Sequence, residues 1–380
     1  MNSTTSPLHK WSNLMLTSTL IFGGCCANVF ALEAIIKDQP SSEGPMITLA
    51  QFILTAIFTF PDFFYPAAGP RSLYLRPRAI PLRSWLVYTA FFISVNLLNN
   101  WAFAYKISVP LHIILRSGGP VASMVIGYMF NAKRYSQGQI ISVLMLTLGV
   151  VAAAMADARA KGQSVHVEGG SRMTTMIGFT ILAVAMILSA FQGIYADRLY
   201  ETYGRNHWKE ALFYSHILSL PLFLPTYPQV ATQWRTMFSS HSSNKSLAFE
   251  DSVSRERHCE LPCMASIPSS MAYLSQSLLG FEHLRLMFAV IPTRLVYLLV
   301  NALTQYLCIR GVHLLSAKTS SLTVTIVLNI RKLASLLLSI YIFGNSLTPG
   351  VLIGATLVFI GGALYGFEGA RGRKAPSKKE

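Results

Sequence analysis

Residues 320–343 read SSLTVTIVLNIRKLASLLLSIYIF. The stretch is long and apolar enough for a membrane-spanning helix, yet Arg331 and Lys332 stand side by side at its middle. A cation at the bilayer centre costs roughly 2.5–3.5 kcal/mol on insertion scales. Two adjacent cations therefore do not face lipid; they require a buried carboxylate, a water-filled cavity or a visiting anion.

The rest of the chain places this stretch in a polytopic membrane protein. Of its 380 residues 52% are hydrophobic and 12% charged, against about 25% charged in soluble domains. Apolar runs recur at about 12–36, 46–65, 81–105, 109–130, 136–157, 174–197, 208–226, 292–312, 317–343 and 348–368, predicting an all-α bundle of about ten transmembrane helices. The first run is too long for the apolar core of a signal peptide and is retained as a span. The stretch 227–291 is polar and Ser-rich, and reads as an insertion with an interfacial helix near 271–287. Residues 1–11 and 369–380 form short tails, the second basic.

The net charge of +15 does not point to nucleic acid, because most Lys and Arg lie in short loops on one side and in the C-terminal tail. That asymmetry places both termini in the cytosol and the insertion opposite. Asn244 then lies in a usable glycosylation sequon, whereas Asn2 does not. Cys25, Cys26 and Cys308 read as small packing residues within spans, and Cys259 and Cys263 as a pair if their loop is lumenal. His258, Cys259 and Cys263 lack a fourth ligand for zinc.

Arg116, Arg331 and Lys332 are the basic residues left deep inside predicted spans, and the acidic residues provide no matching set: Glu33 lies within a span, while Asp62, Asp157 and Glu368 are terminal. Snorkelling or internal pairing is the plain alternative to a cavity that admits an anion. Helical spacing puts Ser321, Thr325, Asn329, Lys332, Ser335 and Ser339 on one stripe, with Arg331 about 100° away. Lys332 is thus the better ligand candidate and Arg331 the better support. A second stripe carries His112, Arg116, Gly119, Ser123 and Gly127. Gly118-Gly119-Pro120 should loosen that helix and free backbone groups for a cavity. Further polar positions include Asn28, Asn99, Tyr214, His216, Asn301 and Gln305. Motifs for nucleotide hydrolysis, nucleophilic catalysis or metal-dependent transfer are absent, so the chain is not read as an enzyme and calls for no cofactor.

Weak similarity between 115–130 and 330–343 divides the spans into 12–157 and 174–368, two five-helix repeats that would lie inverted in the membrane. Several blocks, GGCCANVFALE (23–33), TLAQF (48–52), NNWAFAYKISVPLHIILRSGG (99–119), KEALFYSH (209–216), TQYLCIRGV (304–312) and SLTVTIVLNIRK (321–332), resemble the nucleotide-sugar transporters of the drug/metabolite transporter superfamily. They are most similar to the branch that carries UDP-N-acetylglucosamine and UDP-xylose. The resemblance implies two inverted repeats around a central cavity, import of a UDP-sugar into the Golgi or endoplasmic reticulum lumen, and UMP as the exchanged partner. A homodimer is left open.

Relatives for other nucleotide sugars have Phe-Tyr-Asn-Asn where this chain has Phe213, Tyr214, Ser215 and His216. Their Gly-Ala-Leu-Asn-Lys falls on Leu328, Asn329, Ile330, Arg331 and Lys332, keeping only the lysine in register. The resemblance therefore implies phosphate contact by Lys332. With the excess of buried cations, Arg116 is expected to neutralise the diphosphate beside it, Tyr214, Ser215 and His216 to contact nucleotide or sugar, and Asn329 to add a polar contact. The rival readings are a carrier of another organic anion and, from a different class, a membrane-embedded transferase.

Overall fold

The computed structural model describes residues 7–36, 44–105, 115–160, 172–235, 293–342 and 348–374. His112, Asn244, His258, Cys259, Cys263 and the interfacial helix expected near 271–287 lie outside the described residues. Apart from one isolated bridge between Phe64 and Leu75, regular structure among the described residues is helical.

Helices α1 (Pro7–Thr19) and α2 (Cys25–Ile36) are joined by a π-helical turn, Leu20–Gly24. They are followed by α3 (Gly44–Phe63), α4 (Leu82–Trp101), α5 (Gly119–Asn131), α6 (Gln137–Ala160), α7 (Arg172–Tyr203), α8 (Trp208–Ile217), α9 (Thr293–Lys318), α10 (Ser321–Ile342) and α11 (Pro349–Lys374). Among the described residues, seven helical segments are long and apolar enough to cross a membrane by length and composition. Large apolar side chains such as Leu148, Met176, Ile353 and Phe359 point away from the protein, as lipid-facing side chains do. The chain is an all-α integral membrane protein.

The seventh expected span departs from its sequence reading. Helix α8 stops at Ile217, a 3-10 stretch runs from Leu220 to Thr226, and helix resumes over 227–235, inside the stretch read as the insertion. Pro221 and Pro225 explain the break, since neither supplies the N–H that an α-helix needs there.

The main helix pairs are α6 with α11, α2 with α9, α4 with α7, α5 with α7, α3 with α9 and α3 with α8; α8 also packs on α4 and α9, and α10 on α5, α6, α7 and α2. The α6–α11 pair is the closest because its glycines face the partner backbone. A Cβ added to Gly354 would lie 2.6 Å from the Gly149 carbonyl oxygen and the Ala153 nitrogen. Around this seam Val143, Leu146, Val150, Ala153, Ala355 and Val358 form a buried core. Gly354→Leu should separate the helices and destabilise the fold by about 1–3 kcal/mol, read as a lower unfolding temperature of the detergent-solubilised protein.

Two features correct the sequence reading. Cys25 and Cys308 are not separate packing residues but form a disulfide, with Cα atoms 4.6 Å apart. The approach depends on Gly24, where an added Cβ would come within 2.9 Å of the Cys308 nitrogen. Cys26 is free and buried, as expected of a packing residue, with its Sγ 3.0 Å from Ser335 Oγ. One turn along, Asn28 and Asn301 each donate to the other's carbonyl, at 2.9 and 3.1 Å, and Gln51 donates to Asn301 Oδ1.

The second correction concerns carboxylates. Asp197 in α7 and Glu210 in α8 are both buried, although neither was counted among span residues. Asp197 Oδ2 pairs with Lys133 at 3.3 Å and accepts from the Ser321 N–H at 3.0 Å. The negative charge thus meets the N-terminal end of α10, where the helix dipole favours it. Glu210 accepts from the backbone N–H groups of Ala79 and Ile80 and from Trp85 Nε1. Both act at helix ends rather than beside Arg116, Arg331 or Lys332.

Candidate functional site

The site begins with a break in the chain before α5. Residues 115–116 are helical, 117–118 form a turn, and α5 starts at Gly119 with Pro120 next. Gly118 N–H bonds the Leu115 carbonyl at 3.1 Å, and Ala122 N–H bonds that of Gly118 at 3.0 Å. The carbonyl four residues before Pro120 is that of Arg116, and proline has no N–H to offer it.

Helix α10 takes up the groups this break exposes. Lys332 Nζ donates to the Arg116 carbonyl at 3.2 Å and to Asn329 Oδ1 at 2.9 Å. Asn329 Nδ2 in turn donates to the Ser117 carbonyl at 2.8 Å. Asn329 is 2% exposed and Ser117 fully buried, so only one orientation of the amide satisfies both neighbours, with oxygen to the ammonium and nitrogen to the carbonyl.

A cavity of about 150 Å³ opens beside this network, walled by α4, α5, α7 and α10. Arg116, Arg331 and Lys332 all line it, with Asn99, Ser123, Ser189, Thr325 and Asn329. No carboxylate is among the described lining residues. Space on the α7 side comes from Ala185, Ser189 and Ala190, which carry no charge or motif that would mark them in the sequence.

Arg331 lines the cavity as well, although it lies off the polar stripe of Lys332. The cavity spans a wider arc of α10 than one stripe, from Thr325 and Leu328 through Asn329 to Arg331 and Lys332. Arg331 Nε is buried and has no hydrogen-bond partner among the described residues. Gly119 and Ser123 of the second stripe line the cavity too, whereas Gly127 faces Tyr135 instead.

Tyr214, Ser215 and His216 are not among the residues lining this cavity. Tyr214 stacks on Trp85 with ring centres 6.3 Å apart and belongs to an aromatic core with Phe63, Tyr88 and Phe213. The Ser215 hydroxyl and His216 Nδ1 both donate to the Leu212 carbonyl one turn back, at 3.3 and 2.7 Å. The His216 ring packs edge-on to Phe52 at 4.9 Å and lies 5.4 Å from Phe92. The α8 motif thus faces α3 and α4, while Arg116, ahead of α5, and the cationic residues of α10 line the cavity.

An apolar helical bundle enclosing a polar, cationic cavity is the architecture of a membrane carrier. The chain belongs to the UAA transporter family, whose model matches residues 13–368, and it is a transporter, not an enzyme. It is 39% identical over 353 residues to the UDP-N-acetylglucosamine transporter yea4 of Schizosaccharomyces pombe, covering 92% of this chain and 95% of that one. The UDP-xylose and UDP-N-acetylglucosamine transporter of Danio rerio is 33% identical, with 93% of each chain covered. The endoplasmic reticulum GDP-fucose transporter of Drosophila melanogaster is also 33% identical, over 92% of this chain and 89% of its own. One solved crystal structure matches with a TM-score of 0.54 at 10% identity, covering 94% of this chain and 97% of that one; it shares the fold.

Proposed function

We propose that the protein is an antiporter that carries UDP-N-acetylglucosamine, with UDP-xylose the next candidate, from the cytosol into the Golgi or endoplasmic reticulum lumen and returns UMP. The observation that carries this reading is three cations around one cavity with no carboxylate among its described lining residues. Cationic charge of that density inside a membrane is costly, and a diphosphate neutralises it. Lys332 and Arg116 would contact the phosphates from opposite walls, Arg331 would add a third donor group, and Asn329 would keep Lys332 aimed. Contact by Tyr214, Ser215 or His216 would require α8 to turn relative to α3 and α4.

The architecture proposed is ten crossings in two inverted repeats. One comprises α1–α2, α3, α4, α5 and α6; the other α7, α8 with 227–235, α9, α10 and α11. Part of the helix pairing supports it. Advancing each crossing by five converts α2–α9 into α7–α4, α3–α9 into α8–α4 and α5–α7 into α10–α2; α6–α11, α5–α10 and α3–α8 map onto themselves. Under the same shift α10–α6, α9–α8 and α10–α7 have no comparable counterpart among the described residues. Arg71, Arg76, Arg83, Lys133, Arg134, Lys209, Lys318 and Arg371 cluster at the end of the bundle that carries the 64–81 loop, which supports a cytosolic face there.

Uptake into proteoliposomes preloaded with UMP tests the reading. UDP-N-acetylglucosamine uptake should be faster than into empty vesicles and should be competed by UMP over GMP or CMP. Equal uptake into empty vesicles would remove obligatory exchange. The similarity to a GDP-fucose transporter favours a second reading, a carrier of another nucleotide sugar, and preference for GDP-fucose would select it.

A further inference from the structure

Lys332 is held by the protein itself across the gap between α5 and α10. Its ammonium has three donors, and two are taken, one by Asn329 Oδ1 and one by the Arg116 carbonyl on the opposite helix. That carbonyl precedes the 117–118 turn, and residue 120, whose N–H would reach it in a continuous α-helix, is proline.

We propose that Pro120 is a positioning residue, and that the Arg116 carbonyl it leaves open is an internal stand-in for ligand phosphate: it engages Lys332 in the empty cavity, and an anion binds by displacing it. This inference rests on reading the cavity as an anion site. A phosphate oxygen is a stronger acceptor for an ammonium than a neutral carbonyl, so an arriving phosphate takes Lys332 over. Arg116 and Lys332 then hold the phosphate between them, and α5 and α10 are joined through ligand instead of directly. When ligand leaves, the carbonyl takes Lys332 back. The hold on Lys332 in the empty state is subtracted from the ligand's affinity, because binding reads only the difference between the two states. Returning an N–H to position 120 lets the 117–118 turn close into α-helix, which would give the carbonyl a backbone partner and weaken that hold.

The test measures binding of UMP, UDP-N-acetylglucosamine and inorganic pyrophosphate to the full-length protein in detergent, as wild type, Pro120→Ala and Pro120→Gly. Alanine and glycine both restore the N–H but differ in helix stiffness, so an effect common to both belongs to the hydrogen bond. Both variants should bind roughly three- to tenfold more tightly than wild type, the scale of one charged hydrogen bond partly replaced by water. A proline that served only the shape of α5 would give unchanged or weaker binding on replacement, and that outcome overturns the proposal. A gain in the alanine variant alone would assign the effect to stiffness and overturn it equally. Wild-type binding of pyrophosphate without either nucleotide would sink the nucleotide-sugar reading, while the response of pyrophosphate binding to Pro120 would still decide this one. Binding of none of the three would sink both.

Discussion

Lys332→Ala is expected to lower UDP-sugar uptake by about 10- to 150-fold, the equivalent of one or two charged hydrogen bonds to phosphate, while the protein remains folded. The structure explains why folding should survive. Lys332 bonds the Arg116 carbonyl and Asn329, and Asn329 keeps its own bond to the Ser117 carbonyl when the lysine is gone. Removing one of three neighbouring cations also reduces their mutual repulsion. Arg331→Ala should behave in the same sense: its Nε has no hydrogen-bond partner among the described residues, so truncation sacrifices no bond there, and the loss should appear in transport. Uptake normalised to the monodisperse fraction on size-exclusion chromatography checks both. Full transport by Lys332→Ala would remove the lysine from the site, and collapse of Arg331→Ala would return that arginine to a supporting role.

Glu210→Ala should do the opposite, damaging the fold before the chemistry. The carboxylate receives the Ala79 and Ile80 N–H groups at 3.0 and 3.3 Å and Trp85 Nε1 at 3.4 Å, and His207 Nδ1 lies 3.5 Å away. It thereby fastens the loop before α4 to the start of α8, above the Trp85–Tyr214 stack. Removing the acceptor leaves the Ile80 N–H and Trp85 Nε1 without their carboxylate partner, at an expected cost of about 1–3 kcal/mol for each donor left unsatisfied. Thermal unfolding of the solubilised protein measures it. Glu210→Gln should fall between wild type and alanine, because its amide oxygen still accepts but its NH₂ opposes the remaining N–H groups. Wild-type stability in Glu210→Ala would show that water satisfies those donors equally well.

Some of the site was legible before any coordinates. Lys332, Arg116 and Asn329 stand out because a charge or amide inside an apolar run is visible one residue at a time, and the Gly118-Gly119-Pro120 break follows from backbone chemistry alone. The α8 residues show the limit. Tyr214, Ser215 and His216 stand out as polar or aromatic positions and by resemblance to a motif, but which neighbours their helix face meets depends on its rotation in the bundle. That rotation turns Tyr214 and His216 toward the aromatic side chains of α3 and α4. Asp197 and Glu210 escaped notice because a carboxylate near a helix end reads as solvated until a partner from elsewhere covers it.

The sequence by itself determined the membrane class, the excess of buried cations and the family blocks, since hydropathy, charge and local motifs are properties summed along the chain. Only the tertiary structure decided that Cys25 meets Cys308, that Arg331 shares the cavity with Lys332, and that the Arg116 carbonyl is taken by a lysine more than 200 residues away. Each of those depends on how closely two helices approach. That distance is set at positions such as Gly24 and Gly354, where a missing side chain lets one backbone lie against another.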